Sequence, residues 1–146
     1  MEIGATKAVQ DRLKTTKIAE SKCASLVFCW DTHLTKIKGR NVLFIVNASN
    51  RYTIAMTDIE PRNWNYYTMY IRSVIHGVMQ EMGYSEDQIG QYFKMSGDTT
   101  VTKTHGRKSV GGINRMVMDA QYFGKKLEKE AKYQWELSEY LNRDIC

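Results

Sequence analysis

The pentapeptide Val42-Leu43-Phe44-Ile45-Val46 constrains the fold more than any other stretch of the chain. It is apolar at every position and has the length of a strand. Two turn segments bracket it, Lys38-Gly39-Arg40-Asn41 and Asn47-Ala48-Ser49-Asn50. A strand with two apolar faces has to be covered on both, so the run predicts a central strand. Asn and Ser favour turns and left-handed backbone, so the chain should reverse on either side. Residues 25–37 alternate, with Leu26, Phe28 and Trp30 opposed to Val27, Cys29 and His33. Residues 51–59 return as a third strand, with Tyr52, Ile54 and Met56 on one face. Three strands joined by short turns predict an antiparallel meander.

Helical signals follow. Pro61 suits a first helical turn. Trp64, Tyr67, Ile71, Val74, Ile75, Val78 and Met82 then form a stripe of helical period, which Gly83 ends. Ser85-Glu86-Asp87-Gln88 has the form of a capping box, with Ile89, Tyr92 and Phe93 behind it and Gly97 closing the helix. Residues 7–14 predict a short helix, residues 15–21 a connection, and residues 1–6 an edge strand. Residues 98–104, rich in Thr and Val, predict a strand beside the meander. Ser109 is a candidate N-cap for a last helix carrying Val110, Ile113, Val117 and Ala120. That helix would continue past Gly124 into a charged run, Lys125, Lys126, Glu128, Lys129, Glu130 and Lys132. The expected fold class is α+β. It comprises a small, mostly antiparallel sheet, a three-stranded meander plus flanking strands, with helices on one face and a long C-terminal helix. A chain of 146 residues suits one core. The expected division is one α+β domain over 1–124 and a charged helical extension over 125–146.

Charge points to a partner class. The net charge is +5 and the pI near 9.1, which favours polyanions. The cations concentrate in residues 102–114, where Lys103, His105, Arg107 and Lys108 accompany Ser109, three glycines and Asn114. Backbone N–H groups at a helix start beside such cations form an anion site, whereas the plainer reading is a solvated basic turn. Lys36, Lys38 and Arg40 make a second basic turn, and Arg51 follows the central strand. Tyr66 and Tyr70 could stack bases.

Two histidines could do chemistry. Asp31 and His33 are two apart in a strand and can point the same way, as a carboxylate orienting a base would. His105 lies between Lys103 and Arg107, which would lower its pKa. A metal-independent ribonuclease could be assembled from His33 and His105 with cations for the phosphate. No metal-ligand cluster and no cofactor motif stands out. Cys23, Cys29 and Cys146 fit neither a zinc knuckle nor a disulfide framework, so three free thiols in a reducing cytoplasm are expected. No run reaches membrane-span length, and the first residues lack a signal-peptide core.

Trp30-x-x-His33, the basic turn, the strand ending Val46-Asn47 and the following Arg51 make one recognisable stretch. Arg107, Ser109, Val110, Gly112 and Asn114 make a second. Together they resemble a small family of bacterial and phage domains without an assigned function. The resemblance covers roughly residues 1–120 and implies a single α+β domain. The charged segment after Lys125 would be particular to this chain.

The expected function is binding of RNA, or of an RNA–protein complex, through the segment over residues 103–107 and the turn over residues 36–40. The alternatives are a phage or mobile-element inhibitor of a host nucleic-acid-guided nuclease, anti-CRISPR in type, and the ribonuclease. They differ in kind. A nucleic-acid binder loses affinity with salt, an inhibitor forms a salt-tolerant complex with a protein, and an enzyme turns over.

Overall fold

The computed structural model describes residues 1–13, 18–22 and 25–143. Residues 15–17 of the expected connection, Cys23 and Cys146 lie outside them.

The meander is present. β2 (Cys29–Ile37), β3 (Arg40–Asn47) and β4 (Thr53–Thr57) pair antiparallel in that order. Lys38 and Gly39 link β2 to β3 with φ of 51° and 82°, the left-handed pair that a two-residue hairpin turn requires. In the second turn the Asn47 side-chain oxygen accepts from the backbone N–H of Ser49 (2.9 Å) and Asn50 (3.2 Å). Residues 42–46 of β3 are all buried, as a strand covered on both faces must be.

The rest of the sheet differs from the expectation. β1 (Glu2–Ala5) is not an edge: it lies between β2 and β5 (Thr100–Thr102) and is parallel to both. The order is β4-β3-β2-β1-β5, so the sheet is mixed rather than mostly antiparallel. β5 pairs with β1, away from the meander. Hairpin turns dictate antiparallel neighbours, whereas β1 and β2 are separated by α1 (Lys7–Leu13), a crossover that brings the chain back parallel.

Helices cover both faces, not one. Even-numbered β2 residues such as Trp30 join Ile3, Leu43, Ile45 and Ile54 in a core under α1, α2 (Pro61–Asn65) and α3 (Tyr67–Glu81). α4 (Glu86–Ser96) lies against the same side through Tyr92 and Phe93 and begins with the expected capping box at Ser85 and Gln88. On the opposite face Ile37, Val42, Phe44, Val46 and Ala55 pack against α5 (Gly106–Gln121) and α6 (Trp135–Leu141). The all-apolar β3 demands this: Phe44 and Val46 point away from α3 and need a second cover.

The long charged C-terminal helix does not form. Residues 122–134 carry no helix, and α6 has seven residues. This segment closes the open edge of β4. Thr57 N–H donates to Lys132 O (2.7 Å), and Gln134 N–H to Ala55 O (2.9 Å). Ala55 N–H donates to Ser138 Oγ (3.0 Å), and Thr53 N–H to Asn142 Oδ1 (2.7 Å). An uncovered edge strand would leave those backbone groups to pair with another chain. Here satisfying them outweighs continuing a helix.

Candidate functional site

The site forms where β1, β2 and the start of α5 meet. In the parallel register Glu2 stands beside Cys29, and Gly4 beside Asp31. Gly4 has no side chain, so the Asp31 carboxylate can lie over it. A Cβ at Gly4 would come within 1.9 Å of Asp31 Oδ1. His105 precedes α5, and its ring bridges the side chains of Asp31 on β2 and Glu2 on β1.

The imidazole is held at both nitrogens. Nδ1 is 2.6 Å from Asp31 Oδ1, and Nε2 is 2.8 Å from Glu2 Oε1. The ring is 2% exposed and the Asp31 side chain 0%. Asp31 also accepts from the His105 backbone N–H (3.2 Å) and from Ser109 Oγ. Glu2 accepts from Ser21 Oγ (2.6 Å) and from Lys22 N–H (2.7 Å). Burial opposes a charge on His105, but the hydrogen bonds and negative charges of Asp31 and Glu2 prevail and raise its pKa. For Glu2, burial is likewise outweighed, by its bonds to Ser21, His105 and Lys22, and its pKa is lowered. The lowered His105 pKa expected from Lys103 and Arg107 is therefore reversed. Arg107 is exposed and the Lys103 ammonium is 2.6 Å from Glu20, whereas the two carboxylates touch the ring.

The anion at the head of α5 is thus Asp31, supplied by the fold. Ser109 is not the N-cap; it lies within the first turn and bonds the same carboxylate. The Asp31–His33 pair does not form a base. His33 Nδ1 is 2.8 Å from Thr6 Oγ1, and burial lowers its pKa. With both ring nitrogens engaged, His105 has none free for a substrate.

Beside this clamp is a cleft of about 270 Å³, lined by residues 47–51 of the turn and by His105, Lys108, Ser109 and Gly112. Arg51 has φ 65° and lies across Gly112, where a Cβ would sit 3.4 Å from Arg51 Nε. Arg51 and Lys108 have no ion pair among the described residues. Arg107 and Asn114 are exposed on α5. The basic turn of Lys36, Lys38 and Arg40 does not join them: it lies at the other end of β3, roughly 20 Å from Asn47 at strand rise. Arg40 is committed there to Asp58 (2.9 Å), Thr57 (3.1 Å) and Glu128 O (2.9 Å). Tyr66 is exposed and Tyr70 half-buried.

Cys29 is disulfide-bonded and wholly buried, which corrects the expectation of three free thiols; its partner cysteine lies outside the described residues. Residues 26–28 form a 3-10 turn, so the strand expected over 25–37 begins only at Cys29. Sequence reasoning also missed Glu2. Its only local signal is a carboxylate in a short apolar strand. No helix among the described residues is long and apolar enough to cross a membrane.

A family model described as a domain of unknown function (DUF6933) matches residues 2–146. The match runs through the C-terminal segment that covers β4, so that segment is not particular to this chain. Comparison with the curated proteins and with the solved structures gave no match.

Proposed function

Because the chain belongs to the DUF6933 family, whose description assigns no activity, its function has to be read from its own residues, and we propose that it binds RNA through the cleft between the turn over residues 47–51 and α5. One observation carries the reading. Arg51 and Lys108 line the same cleft from different elements, and neither forms an ion pair among the described residues, whereas Arg40 and Lys103 do. Two uncommitted cations facing one cavity favour a phosphate. Asn50, Ser49 and Ser109 add polar groups to its walls. Arg107, exposed on the first turn of α5, extends the positive surface, and the net charge of +5 acts in the same direction.

The role proposed is binding rather than turnover, since His105 is engaged at both nitrogens. The site of action proposed is the cytoplasm. The test is titration of labelled single-stranded RNA at several salt concentrations. Arg51→Ala with Lys108→Ala should weaken binding and flatten the salt dependence by roughly 0.7 for each phosphate that is no longer neutralised. Unchanged affinity in the double variant would overturn the reading. A salt-tolerant complex with a protein would favour an inhibitor of a nucleic-acid-guided nuclease instead.

A further inference from the structure

We propose that reduction of Cys29 opens a site for a soft divalent cation of the zinc type, ligated by Glu2, Cys29 and His105. The inference is independent of the RNA reading. Sγ of Cys29, a carboxylate oxygen of Glu2 and a ring nitrogen of His105 all lie within 4.8 Å of one another. The fold dictates this proximity. Glu2 and Cys29 are register partners on adjacent parallel strands. His105, the residue just before α5, brings a ring nitrogen to both.

The donor set selects the metal. Thiolate and imidazole favour zinc-type ions over magnesium or calcium, and one carboxylate completes three protein ligands. A fourth position is left for water or a further ligand. The outer groups are already in place. A metal-bound imidazole usually gives its second nitrogen to a carboxylate, which fixes the ring and raises its basicity. Asp31 holds that position on Nδ1 at 2.6 Å. Ser21 Oγ and Lys22 N–H orient Glu2 in the same way.

Oxidation state decides occupancy. In the disulfide, Cys29 sulfur cannot act as a thiolate, and His105 Nε2 bonds Glu2 directly. A thiol reductant would supply two electrons and two protons. Two reductant thiols become a disulfide, while Cys29 and its partner cysteine become thiols. On binding, the Cys29 thiol loses its proton, as does His105 Nε2, and the metal replaces the direct bond between His105 and Glu2.

The experiment uses the full chain with cobalt(II) as a spectroscopic probe for zinc. Cys23→Ser with Cys146→Ser leaves Cys29 as the one thiol and no disulfide to form. This variant should bind one cobalt without reductant and show a thiolate-to-cobalt charge-transfer band with the intense visible bands of a four-coordinate ion. Adding His105→Ala should abolish the visible bands, and adding Asp31→Asn should weaken affinity about 10–100-fold. Absence of the charge-transfer band would overturn the proposal. Should the serine variants fail to fold, the wild type decides. Zinc should raise its melting temperature after reduction and not before. An equal rise in both states, or none in either, would overturn the proposal.

Discussion

Asp31 on β2 binds His105 at two points, accepting from its backbone N–H at 3.2 Å and meeting its Nδ1 at 2.6 Å. One buried carboxylate therefore caps α5 and favours the charged form of the residue just before it. With Glu2 at Nε2, the ring ties two strands to the helix.

Removing Asp31 should be costly. Asp31→Ala leaves His105 with Glu2 alone, Ser109 Oγ without its acceptor and α5 without its anion. Breaking a buried charge pair from one side costs about 3–5 kcal/mol. Chemical denaturation measures the loss. A loss below about 1 kcal/mol would mean that the clamp contributes little to holding α5 on the sheet.

Stability should depend on pH through the same groups. His105 has a raised folded pKa, so its contribution is complete below its ordinary value of 6.5 and disappears as pH rises through the folded value. Glu2 has a lowered folded pKa, so its contribution is complete above 4.5 and disappears as pH falls through the folded value. Both act fully between pH 4.5 and 6.5. Denaturation midpoints across pH should fall on the alkaline side of that window, and His105→Gln should remove that fall. An alkaline limb that persists in His105→Gln would assign it to other groups.

Gly4→Ala tests the space over β1. The new methyl would lie 1.9 Å from Asp31 Oδ1 and 3.1 Å from Thr104 Cα, so the carboxylate must move off His105. A destabilisation of about 1–3 kcal/mol is expected from overpacking. The pH dependence attributed to His105 should shrink with it. A variant as stable as the wild type would show that Asp31 can leave without cost.

Thiol titration of freshly purified protein, denatured without reductant, should find one thiol per chain. A disulfide at Cys29 takes up two of the three cysteines. A count of three would restore the reading from sequence and make the metal-competent state the resting one.

How much was legible varies by residue. The apolar run over residues 42–46 identified β3 because five such residues in a row admit few alternatives. Ser85 and Gln88 announced α4 because a capping box involves only four residues. The stripe from Trp64 to Val78 identified α3 but not the break at Tyr66, where α2 ends. His105 and Ser109 stood out as candidates, but their partners did not. Asp31 is 74 residues from His105, and Glu2 is 103.

The sequence by itself determined the meander, the periods of the main helices and the basic character of the α5 shoulder. Each is a local property, set by backbone geometry acting on neighbouring side chains or by a simple sum of charges. Only the tertiary structure decided that β1 inserts between β2 and β5, that a second helical layer covers Phe44 and Val46, and that residues 131–142 close the β4 edge. It also decided the direction in which the His105 pKa moves. Nearby cations in sequence predict a lowered value, but two carboxylates brought against the ring by strand register outweigh them, because electrostatic interaction follows distance in space.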